Sequence, residues 1–453
     1  MNVFHAPSVA AAPLEHHERI TLLDSLRGIA VLGILMMNIT GFGFPPQASS
    51  NPLIFNEIGT WNYKVWYFID WFLEGSQRAL FSMLFGCGLM LFIARLEKRA
   101  EGVQMVDLYL RRHLWLLVFG LANAFILLWY WDILYWYAVL GILLFPFRKL
   151  PTKHLIAAAV VCLLLQTARE NRDLYVQKAV IAKGEAIAKI DTICTKLTEE
   201  QKEQMSAMQD LKDKAKIENQ KKAAAKYVKK MQGDYGEIYT LRSEQSVWGE
   251  TTFLYYTLWD VLVFIFLGMA FYRLGIMQGE RQMSLYAWLA IGGLALGLPI
   301  SYLRLEPMIG RHFNEFEYIK SITVEFYELS RSLRAIGFFG IIMVVYKSEW
   351  FRFLFSLLQP VGQMAFSNYL IQSLLGGFIF YGVGFGLFGK LQRYELYYIV
   401  FGVWVLQIAF SNLWMRYYHF GPLEWLWRSI TYGVKQAFLK KRGAESQRVY
   451  YRF

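Results

Sequence analysis

The 453-residue chain is 56% hydrophobic and 17% aromatic but only 18% charged, more apolar material than a soluble fold of this length carries, so lipid is the expected solvent. Its net charge of +12 does not point to nucleic acid: the basic residues gather at the ends of apolar runs and in one polar insert, with no base-reading motif among them. Three cysteines, two in apolar stretches (Cys87, Cys162) and Cys194 in the insert, give neither a disulfide framework nor a zinc site.

The segment 1–20 lacks the short apolar core and small-residue cleavage site of a secretory signal, so it reads as a cytoplasmic tail and the first apolar run as a retained helix. A crossing needs about 20 apolar residues. The pattern predicts an all-α polytopic membrane protein with about ten spans, at 22–44, 77–96, 109–130, 132–148, 152–168, 252–274, 283–303, 328–346, 361–387 and 394–417. These group into an N-terminal transmembrane bundle (21–168), a hydrophilic helical insert (169–248), a C-terminal bundle (249–418) and an amphipathic piece with a basic tail (419–453).

In the first span Asp24, Arg27 and Asn38 fall along one helical face. Ionisable groups in a span cost free energy unless paired or facing a polar cavity, which makes this stripe a site candidate. The plainer alternative is that Asp24 caps the helix and Arg27 snorkels to headgroups. Gly28, Ala30 and Gly33 suit close helix packing. Between the first two spans, Trp61 to Glu74 is aromatic yet carries Lys64, Asp70 and Glu74, and reads as an interfacial or re-entrant helix. Asp70, Glu74 and Arg78 then step at four-residue intervals, either as an internal ion-pair ladder or as the wall of a polar vestibule leading to Asn38. Further on, Leu84 to Gly88 is a small-residue contact surface. Arg111, Arg112 and His113 stand at the inner end of the third span, where paired guanidinium groups either anchor the helix or bind an anionic cofactor. Asn123 lies deeper, and Asp132, followed by Tyr135 and Tyr137, opens the fourth span as a helix cap or a carboxylate at depth.

The insert is rich in Lys, Glu, Gln and Ala. Ile187, Ile190, Cys194 and Leu197 recur at heptad-like spacing, Thr198 and Gln201 carry a capping-box signature, and Met205, Met208 and Leu211 begin a second stripe, so a helical hairpin outside the bilayer is expected. Beyond it, Glu325, Glu328, Arg331 and Arg334 crowd the eighth span, where neutralising pairs are expected. Ser367, Asn368 and Gln372 place hydrogen-bonding groups in the ninth, as helix glue or as a substrate path. The run Phe420 to Arg428 reads as an interfacial, Trp-rich amphipathic piece.

Basic residues at Arg95 to Arg112, Arg148 to Lys153, Arg273 to Arg281 and Lys347 to Arg352 alternate with sparsely charged loops, which puts both termini in the cytoplasm. Arg304, Arg311, Lys320, Lys390 and Arg393 sit on the wrong side of that scheme. The sequence contains no Walker loop, HExxH or Gly-x-Ser-x-Gly, and neither a metal nor a covalently held cofactor is expected.

The segments LDSLRGIAVLGILMMNI (Leu23 to Ile39), LFGCG (Leu84 to Gly88), DIL (Asp132 to Leu134) with Tyr137 and Ala138, GQMAFSNYLIQS (Gly362 to Ser373) and FGPLEWLWR (Phe420 to Arg428) together resemble the YeiB family of bacterial inner-membrane proteins, a domain of unknown function. The spacing of Asp24, Arg27, Gly28 and Asn38 also looks like the opening helix of the heparan-glucosaminide acetyltransferases, so the family is similar to the transmembrane acyltransferases. Those enzymes pass an acyl group from a cytoplasmic carrier to an acceptor on the far side. The resemblance implies a bacterial cytoplasmic-membrane protein with acyl-CoA as donor, an extracytoplasmic glycan, lipid or small amine as acceptor, and the lipid bilayer as its surroundings; a homo-oligomer stays open. Arg27, Arg111 and Arg112 would attract the donor's phosphates, with Asn123, Tyr137, Asn368 and Gln372 as further contacts. Asp24 would hold Arg27, and Asn38 would polarise a carbonyl. The acetyltransferases use a histidine after the first span, but none stands here between His17 and His113. Relatives of the YeiB type commonly carry His at position 123 and a basic residue at 363, where this chain has Asn123 and Gln363. A base would then come from Asp70, Glu74 or Asp132, or from a group that the sequence does not identify. The alternative is a transporter or channel, against which stands the lack of an inverted repeat or a pair of broken helices in the sequence.

The expressed chain is expected to pellet with membranes on ultracentrifugation and to enter solution only with detergent; recovery in the detergent-free supernatant overturns the membrane reading.

Overall fold

The computed structural model describes residues 20–99, 102–190, 197–440 and 451–452. The N-terminal tail, Cys194 and most of the basic C-terminal tail lie outside them. The all-α expectation holds. In chain order the helices are α1 (Thr21–Gly43), α2 (Pro46–Ser50), α3 (Trp61–Phe68), α4 (Ser76–Arg99), α5 (Gly102–Phe125), α6 (Leu134–Leu144), α7 (Thr152–Ile187), α8 (Glu199–Ala215) and α9 (Ile217–Met231). They continue as α10 (Tyr235–Trp248), α11 (Leu254–Arg273), α12 (Met283–Gly310), α13 (Glu315–Ser321), α14 (Tyr327–Lys347), α15 (Arg352–Gln363), α16 (Ala365–Phe380), α17 (Arg393–Tyr417) and α18 (Pro422–Tyr432).

Among the described residues six helical segments are long and apolar enough to cross a bilayer: Thr21–Gly43, Trp61–Lys98, Tyr235–Arg273, Met283–Gly310, Tyr327–Lys347 and Arg393–Tyr417. The count of ten is not confirmed. The fourth expected span is a short α6 running into a 3-10 turn, Phe145–Lys149. The ninth begins at the junction of two helices, α15 and α16, which meet at Met364. Gly362 lies against the Asp24 carbonyl of α1, Pro360 sits inside α15, and both weaken a continuous helix there.

Lipid gives helices no hydrophobic reason to associate, so close backbone approach does the work. A Cβ on Gly28 would run into the Leu358 carbonyl, joining α1 to α15; one on Gly86 would strike the Ile265 carbonyl, joining α4 to α11. Between α12 and α14, a Cβ on Gly293 would sit 2.5 Å from Gly337 N.

The insert is more than a hairpin. Helix α7 runs uninterrupted through Arg169, and α8 returns beside it, with Leu174, Ile181, Met208 and Ala215 burying a small core that Phe316 and Ile319 of α13 complete. The expected capping box at the start of α8 is formed: Gln201 N donates to Thr198 Oγ1 at 3.2 Å and Thr198 N to Gln201 Oε1 at 2.9 Å. Lys320 of α13 bonds Glu185 at 2.6 Å and holds its carboxyl below the usual range.

The basic connections meet at one end of the bundle. Arg148 lies 3.7 Å from Glu97, Arg273 donates to the Arg148 carbonyl at 2.5 Å, and Lys347 donates to the Arg281 carbonyl at 2.7 Å. Of the misplaced basic residues, Arg304 is spent on Asp70 at 3.0 Å. Arg393 is likewise sealed in, 2.8 Å from Glu57 and 2.6 Å from the Ala48 carbonyl. Burial pushes the Glu57 carboxyl up, and Arg393 beside it pulls the other way. Such charges are structural ties, and they do not vote on orientation.

Gly28→Val is expected to destabilise the protein in detergent by more than the roughly 1–3 kcal/mol of ordinary overpacking, because the obstructing atoms are backbone. A thermal-unfolding midpoint equal to that of the parent chain contradicts the α1–α15 contact.

Candidate functional site

A cavity of about 280 Å³ opens at the basic end of the bundle, walled by α1, α4, α5, α6, the α15–α16 junction and α18. Four guanidinium groups line it: Arg27, Arg95, Arg112 and Arg428. Arg27 is tied to Asp24 at 2.9 Å, one turn away on α1, so pairing joins the two residues in the cavity wall. Arg112 is clamped between two rings, 4.6 Å from Phe92 and 4.0 Å from Trp427. Stacking occupies its faces and leaves its N–H edges for an anion. Deeper in, the walls turn apolar with Phe81, Leu84, Phe85, Leu116 and Leu134, and end on Tyr137 and Tyr369.

Helix α18 closes one side. Its carboxylate Glu424 accepts from Ser367 N at 3.0 Å and Ser367 Oγ at 2.5 Å, capping the free first turn of α16. Trp427 Nε1 donates to the Arg112 carbonyl at 2.9 Å, fixing the ring that clamps Arg112. The amphipathic piece is therefore a wall of the cavity.

At the inner limit, Tyr369 joins the cavity to Asp132. Asp132 is fully buried and accepts from Asn123 Nδ2 at 2.7 Å, Tyr369 OH at 3.3 Å and Tyr135 N at 2.8 Å. It stands one residue before the N-cap of α6, Ile133, and is the centre of a polar cluster. His113 also lines the cavity, its Nδ1 2.8 Å from the Tyr109 carbonyl. That contact fixes Nδ1 as the donor, so Nε2 is the basic nitrogen.

Several expected site residues lie elsewhere. Arg111 is exposed and paired with Asp107 at 3.0 Å. Asn38 lies three turns along α1 from the cavity lining. Asn368 donates to the Val361 carbonyl at 3.1 Å and Ser411 at 3.0 Å, and Gln372 donates to the Val31 carbonyl and Gln407, each at 3.0 Å. Both amides tie helices together. Asp70, Glu74 and Arg78 do not form an internal ladder, because Gly75, at φ +73°, breaks the helix between Glu74 and Arg78. A Cβ there would run into Arg331, so glycine meets both the left-handed backbone and the close approach. Each charge instead pairs across helices: Asp70 with Arg304 at 3.0 Å, Glu74 with Tyr327 OH at 2.7 Å, and Arg78 with Asp260 at 2.6 Å. Arg331 closes the set, bonded to Asp260 and, at 2.8 Å, to Glu328. The residues missed in the sequence, Arg95, Tyr369, Glu424 and Arg428, were visible only as an interfacial charge or as members of motifs.

Residues 271–434 match the family described as a protein of unknown function, DUF418. Over most of its length the chain is similar to three bacterial proteins. The uncharacterized protein YxaH of Bacillus subtilis (strain 168) is 28% identical over 95% of this chain and 98% of its own. The uncharacterized protein YeiB of Escherichia coli (strain K12) is 26% identical over 91% and 96%, and an uncharacterized 39.9 kDa protein in the amylase 3' region of Bacillus acidopullulyticus 26% over 96% and 99%. The resemblance to the YeiB family is borne out. No solved structure matches.

Glu424→Ala uncaps α16 and unlatches α18, for an expected loss of about 1–2 kcal/mol in thermal stability and faster proteolysis within 422–432. Unchanged cleavage there contradicts the latch.

Proposed function

We propose that this membrane protein is an acyltransferase that takes its acyl group from an acyl-CoA at the basic end of the cavity, facing the cytoplasm, and passes it to an acceptor from the other side. The observation that carries the reading is the polarity of one cavity: four guanidinium groups in its lining beside a largely apolar wall that includes two tyrosines. Guanidinium groups suit phosphate, and a volume of about 280 Å³, at the small end for ligand sites, suits a slender acyl-bearing arm with the nucleotide outside. The donor-binding roles anticipated for Arg27 and Arg112 keep support from this geometry, whereas that of Arg111 does not.

In the reaction the acceptor's hydroxyl or amine would attack the thioester carbonyl carbon, the C–S bond would break, and the acceptor's proton would pass through a base to the departing thiolate. His113 would serve as that base: it lines the cavity, with its basic nitrogen set by the Tyr109 carbonyl and lying against Gly141 of α6. Asp70 and Glu74 lie outside the cavity lining, and Asp132 reaches it only through Tyr369. The second reading, a solute transporter, gains from the break at Met364, because discontinuous helices are a transporter's usual binding device.

Acetyl-CoA is expected to raise the unfolding temperature of the purified protein, with its apparent dissociation constant weakened about tenfold or more in Arg112→Ala or Arg27→Ala, the loss of one hydrogen bond to a charged group. No stabilisation, together with solute flux in liposomes that depends on Arg27, reverses the order of the two readings.

A further inference from the structure

A second cavity, of about 450 Å³, lies where three connections meet: the segment after α2 (Asn51, Leu53), the α8–α9 corner (Ala215, Ile217) and the α12–α13 turn (Gly310 to Asn314, with Glu317). It shares no lining residue with the basic cavity. Helix α12 separates the two ends of the molecule: its 28 residues start two positions after Arg281 and carry the chain about 42 Å, at 1.5 Å per residue, to the turn that lines this second cavity. The volume is that of a small-molecule site.

The two amides in the lining are used by the fold. Asn51 Nδ2 donates to Gln220 Oε1 at 2.9 Å while its Oδ1 accepts from Leu53 N at 3.0 Å, and Asn314 Oδ1 accepts from Glu317 N at 3.2 Å. Arg311, His312 and Glu317 differ. All three are exposed, and among the described residues their side chains make no hydrogen bond or ion pair. The cations nearest in sequence are committed elsewhere, Lys320 to Glu185 at 2.6 Å and Lys216 to Asp213 at 2.7 Å. Arg311 is also one of the basic residues that the charge pattern of the loops misplaces, and it is not spent on a carboxylate as Arg304 and Arg393 are.

The turn that presents these groups is held against its own preference. His312 and Phe313 take left-handed backbone, at φ +51° and +56°, which costs residues other than glycine about 1–3 kcal/mol each. Burial of Phe313 against Trp66, with ring centroids 5.1 Å apart, offsets the cost, and the same turn leaves Arg311 and His312 in the cavity wall.

We propose that this cavity binds a small zwitterion of the α-amino-acid class with an apolar side group, its carboxylate on Arg311 and His312, its ammonium on Glu317, and its hydrocarbon against Leu53, Ile217 and Phe313. The chemistry follows from the lining. A guanidinium group suits a carboxylate, and a free carboxylate suits an ammonium. A bare anion would face Glu317, and Glu306 Oε1 adds to that repulsion 4.0 Å from where a Cβ on Gly310 would sit. A bare cation would face Arg311. One molecule carrying both charges satisfies both, and it joins the insert to the bundle, because Ile217 belongs to one and Arg311 to the other. This site stands apart from the acyl-transfer reading and holds or fails without it.

The test is equilibrium binding of tritiated L-leucine to the full chain in phosphatidylcholine nanodiscs. Saturable binding is expected, displaced by unlabelled leucine but not, at the same concentration, by isocaproate or isoamylamine, which keep the hydrocarbon and lack the ammonium or the carboxylate. Arg311→Gln and Glu317→Gln are each expected to weaken binding about tenfold or more, the loss of one charge-assisted contact. Both side chains are exposed, and gel filtration checks that the variants stay folded. Absence of saturable binding, displacement by either singly charged analogue as effective as by leucine, or indifference of folded protein to either substitution overturns the proposal.

Discussion

A charge carried into lipid must find a partner, and most of this architecture follows from that constraint. Leaving one member of a buried ion pair unpartnered costs about 3–5 kcal/mol, a large share of a typical folding free energy. The helices that carry Asp70, Glu74, Arg78, Asp260, Arg304, Glu328, Arg331 and Arg334 are therefore held in one relative arrangement, because any other strands several ions at once. Arg242 obeys the same rule without a carboxylate. It lies 4.4 Å from the Tyr130 ring and 5.3 Å from the Tyr381 ring, and donates to the Gly41 carbonyl at 3.2 Å, where the last turn of α1 exposes carbonyls.

Electrostatic ties set the outer end, and glycine seams set the middle. The seams at Gly28, Gly86, Gly268, Gly293 and Gly337 bring backbones into contact. At the cavity the two kinds of constraint meet: Gly362, packed on the Asp24 carbonyl, sits beside the break that frees the first turn of α16 for the Glu424 carboxylate.

The spans around α1, α4, α11, α12, α14 and α17 were legible in the sequence because hydropathy is a property of consecutive residues. The Asp24–Arg27 pair and the Thr198–Gln201 box were legible for a related reason, their partners lying one turn apart. What lay beyond reach was pairing between distant segments. Asp70, Glu74 and Arg78 gave a regular four-residue step that looks like one helical face, and only the left-handed Gly75 and three separate partners reveal otherwise. The break at Met364 was equally hidden, since an apolar run from 361 to 387 reads the same whether one helix or two. Arg428 and Glu424 belong to a piece whose pattern reports only that one side is apolar, not which groups it covers.

Helix α7 has 36 residues and no proline, about 54 Å of continuous rod at 1.5 Å per residue. It runs beside α11, with Leu155, Ala159 and Cys162 in the main core, while its far end carries α8 and bonds α13 through Glu185. Midway along it, Glu170 accepts from the Glu328 amide, beside the ion cluster. A shaft of that kind joins the small core at its far end to the charged junction through unbroken helix rather than through a loop.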